Sequence, residues 1–211
     1  MVREGLKYVV PMLAAAALSA VILGHHALTY VALGLAVALA AFFRRAPAPA
    51  AVSPNAILSP AAGFVIEVVD EDEPLFMKSP ARRISIFMTP LDVHVNTAPF
   101  DGSIRYTEYR PGTFFKADRA EARLQNEKML VGFERTDGVR CLAAQVAGWL
   151  ARRIVCDVCV GDNVRQGRRY GMIEFGSRMD LHMPAKFQIR VTPGQHVRAA
   201  TTVLAEEVVA S

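Results

Sequence analysis

Residues 173–184 read Ile173-Glu-Phe-Gly-Ser-Arg-Met-Asp-Leu-His-Met-Pro184, and their alternation decides the fold class. Phe175, Met179 and Leu181 share one parity, while Glu174, Arg178 and Asp180 share the other. That is the period of a half-buried β-strand. Gly176 and Ser177 interrupt it. Glycine tolerates a bend there and leaves its carbonyl uncrowded beside the serine hydroxyl. Taken alone, the Gly-Ser step reads as a β-bulge.

Upstream and downstream the texture is the same. Short apolar runs separated by turn residues recur from Phe64–Val69 and Ile84–Met88, through Val93–Asn96 and Arg153–Val160, to Phe187–Val191 and Thr202–Val208. Such spacing predicts a mainly β body. Ala117–Lys128 alone has helical character, and it is polar enough to be a loop instead. A weak repeat, V-G-D-N-V-R-Q-G-R at Val160–Arg168 and T-P-G-Q-H-V-R-A-A at Thr192–Ala200, is similar to the hammerhead units of biotinyl and lipoyl carrier domains. It suggests a barrel-sandwich-like body of two related halves. No lysine sits at a hairpin tip, which argues against a carrier.

The N-terminus differs. Tyr8–Leu23 and Ala27–Phe43 are apolar and uncharged, separated by Gly24, His25 and His26. As helices they would span roughly 24–26 Å, slightly short of a bilayer core of about 30 Å. Pro11 is tolerable in a membrane helix. A signal peptide and a buried soluble hairpin are the alternatives to an anchor. Arg3 and Lys7 precede the pair and Arg44 and Arg45 follow it, so a hairpin with both ends in the cytoplasm satisfies the positive-inside tendency. Three of the four net positive charges lie in residues 1–45. That placement favours anionic lipid and leaves no nucleic-acid footprint. The expected organisation is a hairpin at 1–45, a proline-stiffened linker at 46–54 and a β-rich domain at 55–211.

Three cysteines leave at least one unpaired. Cys156 and Cys159 have zinc or redox spacing, but no second pair accompanies them, and core packing with no metal is the expectation.

Several short motifs accompany the Gly-Ser step in order: S-P-A-x-G at Ser59–Gly63, L-D-V-H-V-N at Leu91–Asn96 and A-P-x-x-G at Ala98–Gly102. P-G-x-F at Pro111–Phe114, N-E at Asn126–Glu127, R-R-I-V-C at Arg152–Cys156 and G-D-x-V-R-x-G at Gly161–Gly167 follow, and then F-G-S-R. The series resembles the short, bacterial type of phosphatidylserine decarboxylase over nearly the whole chain. The resemblance implies self-cleavage between Gly176 and Ser177, giving fragments 1–176 and 177–211 that remain together as a heterodimer. The Ser177 hydroxyl would attack the Gly176 carbonyl and shift the acyl group to oxygen, and β-elimination from that ester would leave dehydroalanine, which then becomes a pyruvoyl group in place of Ser177. That covalent cofactor would take phosphatidylserine as a Schiff base, release CO₂ and yield phosphatidylethanolamine at the cytoplasmic face of a bacterial cell membrane. A homodimer is left open.

The resemblance also assigns residues. His94, which alone would read as a core histidine, becomes the candidate for proton transfer. Arg178 is suited to the lipid phosphate. Phe114 and Phe115 are candidates to enter the interface beside the acyl chains, with ordinary packing as the alternative. His182 could face solvent, and His196 reads as a surface turn residue. One departure stands out: the family commonly has aspartate where this chain has Ala62, with Asp92 or Asp180 as substitutes. A homologue that no longer matures, and a membrane-anchored adaptor, are the competing readings.

Overall fold

A computed structural model describes residues 1–23, 26–117, 119–149, 153–174 and 177–207. Gly176, Phe175, His25, Arg152 and Val208 therefore lie outside the described residues. The chain divides into two compact units, 1–45 and 46–211.

The first unit is a helical hairpin. Helix α1 (Leu6–Leu18) runs into a π-helical turn at Ser19–Leu23, and α2 is His26–Phe42. Its ends meet: the Val2 N–H donates to the Phe43 carbonyl at 2.8 Å, and the Tyr8 and Phe43 rings stack at 5.3 Å. Arg3–Ile22 is one helical stretch of 20 residues with mean hydropathy 1.7, long and apolar enough to cross a membrane. His26–Phe42 is shorter.

The second unit is mainly β. Its strands are β1 (Ala56–Leu58), β2 (Gly63–Glu73), β3 (Ser79–Met88), β4 (Val95–Thr97), β5 (Gly102–Arg110), β6 (Lys128–Glu134), β7 (Arg140–Val146), β8 (Arg153–Cys156), β9 (Asn163–Val164), β10 (Arg169–Glu174), β11 (Ser177–Pro184), β12 (Phe187–Ile189), β13 (His196–Val197) and β14 (Val203–Glu207). A short helix, α3 (Ala120–Gln125), lies between β5 and β6. An eight-stranded sheet has the order β13-β2-β3-β11-β7-β6-β5-β9, and β4-β10-β8 and β1-β14-β12 form two smaller sheets. The mainly β body and the N-terminal apolar hairpin are thus both present.

The opening stretch is not one strand. Ile173 and Glu174 pair with Ile154 and Arg153 in a small sheet, whereas Ser177 onward pairs with β3 and β7 in the large one. The chain changes sheets between Glu174 and Ser177. One face of β11 and β3 carries Ser177, Met179 and Leu181 with Met88, Ile86 and Ile84, all fully buried. Burying each large apolar side chain is worth about 1.5–3 kcal/mol, so this central pair is among the most firmly held in the body. The opposite face carries Arg178 and Asp180 with Arg83 and Ser85, and it too is buried.

Candidate active site

The sequence motifs converge in pairs. The Thr97 N–H donates to the Pro60 carbonyl at 2.9 Å and the Thr97 hydroxyl to the Ser59 carbonyl at 3.2 Å, so S-P-A-A-G lies beside L-D-V-H-V-N. Ala98 exchanges backbone bonds with Gly167 and Arg168. P-G-x-F meets N-E, because Thr113 bonds to Gln125 and Glu127 through the backbone. Gly63 has no room for a side chain: a Cβ there would stand 2.1 Å from the Phe87 carbonyl oxygen and 3.1 Å from the Met88 Cα. Ala62, next to it, is 5% exposed.

Ser177 opens β11, is fully buried, and its hydroxyl donates to the Met88 sulfur at 3.2 Å. His94 is fully buried as well. Its Nδ1 lies 3.0 Å from the Asp92 carbonyl oxygen, which can only accept, so Nδ1 carries the proton. In the neutral ring Nε2 is then the basic nitrogen. The His94 carbonyl in turn accepts the Ile173 N–H at 3.2 Å. Two short segments join these contacts: Thr89–Val93 runs from Met88 to His94, and residues 174–176 run from Ile173 to Ser177.

The Asp92 carboxylate is engaged elsewhere. One oxygen accepts the Thr89 N–H and hydroxyl at 2.9 and 2.7 Å, and the other meets His196 Nε2 at 2.7 Å. Burial pushes this carboxyl up, but the bonds from Thr89 and His196 outweigh it and hold the pKa below the ordinary value. His196 is part of β13, and its bond to Asp92 gave no signal in the sequence because the partners are far apart along the chain.

Strand alternation turns Arg178 and Asp180 away from Ser177. Arg178 donates to Asp180 at 2.6 Å, to the Ser85 hydroxyl at 2.9 Å and to Glu67 at 3.3 Å. Arg83 joins with Glu67 at 2.7 Å and Glu71 at 3.0 Å, and His182 reaches Glu71 at 2.9 Å. The structure therefore does not bring Arg178 to the Ser177 face.

Phe114 is half-buried and Phe115 is 41% exposed. Their loop is pinned by the fully buried Asn126, whose side chain accepts from the Phe115 N–H and donates to the carbonyls of Phe115 and Ala147, each at 2.8 Å. Among the described residues no cluster of His, Cys, Asp and Glu could hold a metal ion. Cys141 is buried and Cys159 exposed, and all three cysteines are free thiols.

A family model for phosphatidylserine decarboxylase matches residues 36–205. The phosphatidylserine decarboxylase proenzyme of Salinibacter ruber is 47% identical over 166 residues, which is 77% of this chain and 73% of that protein. Those of Ralstonia nicotianae and Mycolicibacterium vanbaalenii are 44% and 43% identical, covering 78% and 81% of this chain and 76% and 75% of theirs. With the matched region spanning the Ser177 strand, the His94 loop and the motifs that converge on them, the chain belongs to the phosphatidylserine decarboxylase family.

Proposed function

We propose that this chain is a proenzyme that breaks itself between Gly176 and Ser177 and then decarboxylates phosphatidylserine to phosphatidylethanolamine. The observation that carries the reading is the burial of the Ser177 hydroxyl at the head of a central strand, bonded to Met88 at the end of the strand that leads into the His94 loop. Cleavage would turn Ser177 into a pyruvoyl group, whose carbonyl supplies the electron sink for the loss of CO₂ from the substrate amine. The residues present fit that group. It is made from the atoms of Ser177 itself, in an interior that excludes water and needs no separate cofactor cradle.

His94 serves as the proton carrier. Its Nε2 takes the Ser177 proton during the chain break and later returns a proton to the carbon that has lost CO₂. The Asp92 carbonyl keeps the ring in that tautomer. Arg178 serves the site by locking β11 into the sheet rather than by receiving the lipid phosphate, because its donors already have partners on the other face. Phe114 and Phe115 face the acyl chains, and Asn126 holds their loop. Residues 1–45 hold the protein to the cytoplasmic face of a cell membrane through apolar helices with basic flanks. Fragments 1–176 and 177–211 remain together as a heterodimer.

Intact-mass measurement on the purified protein tests this. Two fragments broken ahead of Ser177 are expected, with Ser177→Ala giving one chain and no decarboxylation. Pyruvoyl-dependent turnover in Ser177→Ala would sink the assignment. Ala62 favours a second reading, a family member that stays uncleaved. A single chain of about full mass in the unaltered protein would select it.

A further inference from the structure

Three buried polar atoms inside the 46–211 unit lack a hydrogen-bond partner among the described residues: Nδ1 of His182, whose other ring nitrogen meets Glu71, and the pair of interest, Nδ2 of Asn96 and Oε1 of Gln145. Both residues are fully buried. Native proteins keep few such groups, because each forfeits its bonds to water. These two belong to side chains bonded to each other. Gln145 Nε2 donates to Asn96 Oδ1 at 2.8 Å and to the Val155 carbonyl at 3.3 Å. The Val155 contact fixes which end of the Gln145 amide is nitrogen, and Gln145 then fixes which end of Asn96 is oxygen. One NH₂ and one C=O are left over, one on each of two amides bonded to each other.

Their place is close to the proposed chemistry. Gln145 pairs with Met179 and shares its face, which is also the face of Ser177. Diagonal neighbours on one face of a sheet lie roughly 7–8 Å apart, which places Gln145 about that far from Ser177. Asn96 follows His94 by two residues of extended chain. At Gly171 a side chain would meet Gln145 Nε2 at 2.8 Å and the Val155 carbonyl oxygen at 2.4 Å, so glycine there leaves room for the amide pair.

We infer that the Asn96–Gln145 pair is the subsite for the amino-acid head group, an inference that rests on the decarboxylase reading above. Asn96 Nδ2 donates to the carboxylate that will be lost, and Gln145 Oε1 accepts from the amine. An α-amino acid carries an acceptor and a donor at short separation, and the pair offers the complement. A neutral donor suits this reaction. A guanidinium would stabilise the carboxylate most in the ground state and so oppose loss of CO₂, whereas an amide in a dry interior orients it with less penalty. The product has the amine but no carboxylate, so Asn96 loses its partner again and the product is held less tightly.

The test uses the full chain in detergent micelles containing phosphatidylserine or phosphatidylethanolamine. Asn96→Ala is expected to break into the same two fragments but to raise KM for phosphatidylserine by roughly 10- to 100-fold, the range for a bond to a charged group. Cyanoborohydride capture, read as a mass gain on fragment 177–211, should fall for phosphatidylserine and stay unchanged for phosphatidylethanolamine. Asn96→Asp, nearly the same shape but repelling a carboxylate, should sharpen that contrast. An unaltered KM, or equal loss of capture for both lipids, overturns the subsite and leaves the decarboxylase reading standing. An unaltered protein that stays in one piece removes both.

Discussion

Nε2 of His196 lies 2.7 Å from Oδ1 of Asp92, and this contact ties the loop carrying His94 to strand β13. The two residues fall on opposite sides of the proposed break. The carboxylate of Asp92 shapes the loop through Thr89 and His196, while its peptide carbonyl orients the His94 ring.

His196→Ala should therefore loosen the loop without touching the chemistry directly. With the His196 side chain 40% exposed, solvent screens the pair, and the loss is expected to be about 1 kcal/mol or less. Thermal melting should fall slightly and chain break should slow a few-fold, with KM for lipid unchanged. A rate loss as large as that of His94→Ala would mean that His196 takes part in proton transfer itself.

Acid stability should depend on Glu71. Burial raises its pKa, but the bonds from Arg83 and His182 dominate and bring it to about 2, against 4.5 for the free side chain. A lowered folded pKa means that the folded state binds fewer protons, so the stabilisation is complete above pH 4.5 and lost as pH falls toward about 2. Melting temperature should drop across that window, and Glu71→Gln should flatten the drop. An identical slope in the variant would shift the credit to other carboxylates.

Ala62→Asp probes the departure from the family. The His94 tautomer is already fixed by the Asp92 carbonyl at 3.0 Å, so a new carboxylate has little orienting work left. A time course of fragment formation should change by less than about tenfold, whereas a limiting acid–base group would raise the rate by about 10²–10⁴. Because position 62 is buried, the variant should also melt lower.

Deleting residues 1–45 should leave a folded β body that no longer sediments with anionic vesicles. The remaining residues are nearly neutral, with twenty basic against nineteen acidic side chains, and have little long-range attraction to such a surface. Undiminished sedimentation would place membrane binding on the body itself.

Alternation made much of the sheet legible. Ile84, Ile86 and Met88, with Met179 and Leu181, form the buried face that their spacing implies. The opposite parity misled, because Arg178, Asp180 and Arg83 look like a solvated face yet are buried in an ion network closed by Glu67 and Glu71. Local sequence cannot report a network assembled from β2, β3 and β11. The Asn96–Gln145 bond was silent for the same reason, since Gln145 sits in the apolar run C-L-A-A-Q-V and its partner comes from another sheet. His94 became readable through its motif, but its tautomer depended on a carbonyl that only the folded loop presents.

Strand β11 is flanked by β3 on one side and β7 on the other, and β13 and β14 clasp β2 and β1. A nick ahead of Ser177 would therefore free a chain end without freeing a piece. For the 35 residues of 177–211 to escape, the middle of the large sheet would have to unzip, which is the global unfolding event itself. The nicked molecule should melt in a single transition and exchange its short fragment with solution only as fast as it unfolds. Its two pieces would be thermodynamically one protein, with their lifetime together set by an unfolding barrier rather than by a binding constant.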